Sequence, residues 1–166
     1  MSDTLSYDDA DLRDILKSVR TLAMVGLSPK WVRPSNFAAK YLQGKGYRVI
    51  PVNPGVAGKE ILGEMTYASL DEVPGPFEMV DIFRSSEAAG PIVDRAIALK
   101  EEKGIQVIWM QLGVRNDDAA ARAEAAGLKV VMDRCPKIEY GRLFGELGWG
   151  GVNSGIISSK RPGGRP

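Results

Sequence analysis

Thr21-Leu22-Ala23-Met24-Val25-Gly26 is a short, continuously apolar run that stops at a glycine. A strand with one wet face alternates apolar and polar residues. A run without alternation predicts a strand covered on both faces, as in parallel sheets. Working outward, similar short apolar runs recur at residues 47–52, 79–83, 106–110 and 129–132. Pro51 lacks a ladder donor and is expected at the end of the second run.

Helical patterns separate these runs. Leu12, Ile15, Leu16 and Val19 recur at three- and four-residue steps behind an acidic start at Asp8 to Asp11, which predicts an amphipathic helix with a favourable dipole. Ser35 is the expected N-cap of a helix with Phe37, Ala38, Tyr41 and Leu42 on one face, stopped at Gly44 or Gly46. Residues 91–103 predict a helix with Pro91 in its first turn and Ile92, Val93, Ala96 and Ile97 inward, ended by Gly104. Asn116 caps an alanine-rich helix running to Gly127, and a last helix at 137–147 is expected across the sheet's edge. Residues 57–73 have a weak pattern, read as a short extended segment and a turn of helix. Strands alternating with helices predict right-handed βαβ units. The expected class is therefore α/β, a Rossmann-like three-layer sandwich around a five-stranded, mainly parallel sheet.

Composition narrows the function. The chain has 166 residues, 44% of them hydrophobic, enough to fill one core. Its 22 basic and 21 acidic side chains nearly cancel, so neither nucleic acid nor a membrane is expected as partner. The acidic N-terminal stretch lacks the features of a secretory signal, and a cytoplasmic location is expected. Cys135 is the one cysteine and there is no histidine. This removes internal disulfides, the commonest zinc ligand and the imidazole base of the usual hydrolase triads. The organisation expected is a domain over 1–148 and a flexible Gly/Ser/Pro-rich tail over 149–166.

In open parallel sheets ligands bind beyond the carboxyl ends of the strands. After the first strand, Gly26-Leu27-Ser28-Pro29-Lys30 and Arg33 place two cations ahead of a helix start, a combination suited to phosphate. Arg84 follows the apolar run at 79–83 and offers a bidentate fork, with an ion pair to Asp81 or Glu87 as its alternative role. A dinucleotide fingerprint is absent. Ser28 occupies the place of the second glycine, and the second strand ends in Asn53 where NAD sites carry an acid.

The motifs VGLS, RPSNF, YRVIPVNP, ILGEMTYASL, VDIFR, VIWMQLGV and VVMDRCP, in this order from Leu12 to Phe144, resemble the CoA-binding family of small single-domain proteins. That family is similar to the N-terminal CoA-binding domain of the succinyl-CoA synthetase α subunit. The resemblance implies coenzyme A as the ligand, with phosphates near Gly26, Ser28, Lys30, Arg33 and Ser35 and the nucleotide near Asn53, Pro54, Phe83 and Arg84. Leu27, Pro29 and Gln111, on the same loops, complete the expected site. The synthetase's phosphate-carrying histidine is missing, so the expected role is binding, carriage or regulation, with no catalytic residue assigned.

Two alternatives remain at this stage. An NAD(P)-dependent oxidoreductase shares the fold, although no Tyr-x-x-x-Lys pair is present as proton donor. An interaction module would use Trp149 and the tail residues Lys160, Arg161 and Arg165 against a partner enzyme, or the chain would form a homo-oligomer. Cys135 lies after the fifth strand, where it is either a small buried hydrophobe or a neighbour of the ligand's thiol.

Overall fold

The computed structural model describes residues 5–145. Helix α1 (Asp9–Ser18) leads into β1 (Thr21–Val25), α2 (Pro34–Gly44) and β2 (Arg48–Val52). A small antiparallel hairpin, β3 (Glu60–Ile61) with β4 (Glu64–Met65), is followed by β5 (Met79–Ile82) and α3 (Ser86–Lys103). Then come β6 (Val107–Met110), α4 (Asp117–Ala125), β7 (Lys129–Val131) and α5 (Pro136–Leu143). The expected tail over 149–166, with Trp149, Lys160, Arg161 and Arg165, lies outside the described residues.

The five long strands form one sheet in the order β2-β1-β5-β6-β7, and all four pairings are parallel. Alternating side chains feed two cores, which is why these strands are apolar on both faces apart from Asp81 within β5 and the charged residues that open β2 and β7. On one face Ala23, Val25, Val80, Ile82 and Ile108 pack with Val93 and Ala96 of α3 and Ala119 and Ala123 of α4. On the other, Leu22, Met24, Met79 and Trp109 pack with Leu16 of α1, Leu42 of α2 and Tyr140 of α5. The three-layer α/β sandwich is thus present.

Several local expectations are corrected. Arg33, not Ser35, is the N-cap of α2, and Pro34 takes the first helical position, where its missing N–H costs nothing. Phe37 is half exposed rather than inward; Ala39 is buried in its place. Helix α3 starts at Ser86, where the Ser85 hydroxyl accepts from the Ala88 N–H at 3.1 Å, so Pro91 lies in the second turn. Val93 and Ala96 are buried, while Ile92 and Ile97 only border the core. Helix α5 lies on the face shared by α1 and α2 and not across the edge, because Tyr140 and Leu143 belong to that core. The segment 57–73 contains the β3–β4 hairpin and a 3-10 turn at Leu70–Glu72.

Pro51 sits inside β2, opposite Met24. This is tolerated because β2 is an edge strand in the main sheet. The Pro51 carbonyl accepts from Tyr67 N–H on the outer side, which is also the side where its own N–H would have pointed.

Candidate functional site

The chain leaves β1 towards β2 on one side, while β5 is added on the other. Strand order therefore reverses between β1 and β5, which opens a crevice at their carboxyl ends. Its closest approach is at Gly26, whose φ is +95°. A Cβ there would lie 2.4 Å from the Phe83 carbonyl oxygen and 3.0 Å from Arg84 Cδ. Only glycine combines that backbone angle with that contact.

The crevice has a volume of about 420 Å³. Gly26, Ser28 and Phe83 line it from the strand ends, and Lys30, Arg33, Pro34 and Ser35 from the loop and helix start. Side chains brace the loop internally. Ser28 N–H donates to Ser35 Oγ at 3.0 Å, Lys30 N–H donates to Ser28 Oγ at 3.1 Å, and Asn36 Nδ2 donates to the Ser28 carbonyl at 2.9 Å. Ser35 is 5% exposed, so its hydroxyl shapes the loop rather than capping α2.

Helix α2 has no side-chain cap. Its first turn therefore presents the positive end of the helix dipole to the crevice without a side-chain acceptor at the cap. Lys30 and Arg33 are exposed and enter no ion pair among the described residues. Arg84 is exposed as well, and neither Asp81 nor Glu87 pairs with it there. Lys30 and Arg33, without carboxylates and beside an uncapped helix end, make a chemically sound anion site, and Arg84, although not among the lining residues, runs its Cδ past Gly26 at the crevice floor.

The remaining sequence-selected residues divide by position. Leu27 is buried in the α1/α2/α5 core, and its carbonyl accepts from Asn53 Nδ2 at 3.0 Å. Asn53 Oδ1 accepts from Gly55 N–H at 3.0 Å. With both ends of its amide engaged, Asn53 ties the end of β2 to the loop after β1. Pro29 and Pro54 are exposed on the flanking turns. Gln111 follows β6 and is 9% exposed, with Oε1 lacking a partner among the described residues. Cys135 is half-buried and is the N-cap residue of α5.

One lining residue, Pro34, and one buried acid outside the lining, Asp81, were not singled out by sequence reasoning. Pro34 lines the crevice, and its signal was its place between Arg33 and Ser35. Asp81, considered only as an ion-pair partner of Arg84, is fully buried in β5 between Met24 and Trp109. Both its carboxylate oxygens lack partners among the described residues, and desolvation pushes its carboxyl well above the usual range. A lone acid inside the apolar run at 79–83 was the available signal.

A family model described as a CoA binding domain matches residues 20–141. The Bacillus subtilis (strain 168) protein YneT is 34% identical over 131 residues, covering 79% of this chain and 93% of that protein. A structure from Pyrococcus horikoshii OT3 shares 37% identity at a TM-score of 0.77, covering 87% of this chain and 99% of its own. One from Thermus thermophilus shares 35% identity at a TM-score of 0.77, covering 83% of this chain and 100% of its own. Among the described residues no helix is long and apolar enough to cross a membrane.

Proposed function

We propose, from the premise that this chain belongs to the CoA-binding domain family, that it holds coenzyme A or an acyl-CoA at the β1/β5 crevice as a carrier or regulatory protein. The observation that carries the site's location is the set of cations without carboxylates around an uncapped helix start, at the point where strand order reverses. The diphosphate would face the α2 N-terminus between Lys30 and Arg33, over Gly26, where no Cβ stands in its way. Arg84 on β5's carboxyl end would take a further phosphate with its fork. Ser28 and Ser35 would hold the loop in shape.

Coenzyme A suits this charge distribution better than NAD does. Besides its diphosphate it carries a 3′-phosphate, which adds negative charge that a third cation can meet. NAD requires an acid for the ribose hydroxyls at the end of the second strand. Asn53 stands there, and its amide is already committed to Leu27 and Gly55. Leu27 would contribute packing beneath the loop, and Pro29 and Pro54 would form the rim. No histidine is available for phosphate relay, which favours binding without ligation chemistry.

Calorimetric titration of the full chain with coenzyme A, 3′-dephospho-CoA and NAD tests this reading. Coenzyme A is expected to bind at least tenfold more tightly than 3′-dephospho-CoA, because a charge-assisted phosphate contact contributes about 1.5–3 kcal/mol. Equal affinity for the two would overturn the assignment of a cation to the 3′-phosphate. Absence of binding by coenzyme A would overturn the reading as a whole.

A further inference from the structure

We propose that the turn ahead of α2 and the exposed face of that helix form a docking surface for an anionic lipid bilayer, touched peripherally and not crossed. Its own residues, Trp31, Val32, Phe37 and Lys40, do not line the crevice, so the surface stands whatever ligand the crevice holds.

Charge is balanced over the whole chain but segregated along it. Between Ile15 and Lys59 there are eight lysines and arginines and no aspartate or glutamate, whereas from Glu60 to Gly145 fifteen acidic side chains outnumber ten basic ones. The sheet turns that segregation into a spatial one. Strands β2 and β1 stand at one end of the order β2-β1-β5-β6-β7, and α2 joins them, so the basic segment occupies one end of the molecule. Arg48 is paired there, with Glu64 at 3.1 Å, but Lys30, Arg33 and Lys40 enter no ion pair among the described residues. A balanced total, which by itself points away from an anionic partner, therefore conceals a positive end.

Apolar side chains protrude from the same end. Arg33 N–H donates to the Lys30 carbonyl at 3.0 Å, closing a turn whose two central residues, Trp31 and Val32, are 74% and 54% exposed. The tip is thus an indole and an isopropyl group with a cation at either shoulder. Phe37, whose N–H donates to the Arg33 carbonyl one helical turn back, is also more than half exposed, and Lys40 follows it on the exposed side of α2. The Lys45 and Lys137 ammonium groups lie 5.3 Å and 5.5 Å from the centre of the Tyr41 ring, which extends the basic surface onto α5. Apolar residues scattered singly over a surface are ordinary. Three on one turn and the helical turn after it, ringed by cations, form a patch.

A bilayer containing acidic lipid matches each part of that patch. Aromatic rings settle at the boundary between headgroups and acyl chains, and an aliphatic tip is buried there as well. Each lysine or arginine held close to an anionic bilayer contributes about fivefold in affinity. A nucleic acid strand would stack on Trp31 and Phe37 and gain nothing from Val32.

The test is sedimentation of the full chain with vesicles of phosphatidylcholine and phosphatidylglycerol in equal parts, against vesicles of phosphatidylcholine alone, without coenzyme A. The mixed vesicles are expected to bind at least tenfold more tightly, with a blue shift of tryptophan emission. Trp31→Ser is expected to weaken that binding at least tenfold and to remove the shift, and Lys40→Ala to weaken it about fivefold. Both variants are expected to keep the wild-type Tm within about 2 °C and the wild-type affinity for coenzyme A. No preference for the mixed vesicles, or sedimentation that Trp31→Ser leaves unchanged, would overturn the docking surface. Binding of a single-stranded oligouridylate without binding of vesicles would assign the surface to nucleic acid and overturn it equally. Vesicle binding without coenzyme A binding refutes only the reading of the crevice, and coenzyme A binding without vesicle binding refutes only this inference.

Discussion

Gly26→Ala is the perturbation that most directly probes the crevice. Alanine at φ +95° is in a backbone region disfavoured for residues with a Cβ, at a cost of about 1–2 kcal/mol. Its methyl group would lie 2.4 Å from the Phe83 oxygen, where ordinary contact begins near 3.4 Å. The seam between β1 and β5 must therefore open by about 1 Å. That seam is closed by Phe83 N–H donating to the Val25 carbonyl, and Gly26 N–H donates to the Val52 carbonyl on the other side, each at 2.8 Å. Losing one such bond costs about 0.5–1.5 kcal/mol. The two effects together come to about 1.5–3.5 kcal/mol, or a fall in Tm of roughly 3–14 °C for a chain of this size. Gly58→Ala is the control, because Gly58 has φ +89° but nothing within 4 Å of its Cβ position. Urea unfolding of both variants, followed by circular dichroism, separates backbone angle from crowding. A Gly26→Ala protein no less stable than Gly58→Ala would refute the close approach as the reason for this glycine.

Other outcomes follow from the same geometry. Lys30→Ala and Arg33→Ala are each expected to weaken coenzyme A about tenfold in calorimetry while shifting Tm by less than about 2 °C, since neither forms an ion pair among the described residues; a loss of stability matching the loss of affinity would contradict an anion role. Asn53→Ala removes bonds to Leu27 and Gly55 and should cost about 1–3 kcal/mol in denaturant unfolding, with less than about 0.5 kcal/mol counting against its tying role. Burial raises the Asp81 carboxyl above its unfolded value, so the folded state retains a proton that the unfolded chain releases as pH rises above about 4. This group's contribution is full below that pH and is lost as pH climbs towards the folded value. Asp81→Asn should therefore gain stability relative to wild type between pH 4 and pH 7, measured by unfolding at both; an unchanged difference would argue against a neutral buried acid.

The fold was largely legible because a parallel sheet buried on both faces leaves continuous apolar runs, and 21–26 and 106–110 could hardly be anything else. Capping was read correctly at Asn116, whose Oδ1 accepts from Ala119 N–H at 3.0 Å. It was misread at Ser35, because a serine ahead of a helical pattern serves equally well as a cap or as a brace. Which of the two it becomes depends on Ser28 lying seven residues back and folding over it. Phe37 was misplaced because Ala38, Ala39 and Leu42 form the buried stripe of α2, which leaves Phe37 outside it at 51% exposure.

At the site, residue types were readable and commitments were not. Sequence alone placed Lys30, Arg33 and Arg84 on loops after strands, since charge cannot be buried inside those runs without a partner. It could not show that Asn53 spends both ends of its amide on backbone groups or that Asp81 is sealed without a partner. Each of these is decided by neighbours from distant segments: Leu27 comes 26 residues before Asn53, and Trp109 comes 28 residues after Asp81. Local chemistry fixes what a residue is able to do, and it was enough to determine the layer architecture and the cationic loops. The order β2-β1-β5-β6-β7 is a choice among strand pairings that local pattern does not encode, and it alone decided which of those loops share one crevice.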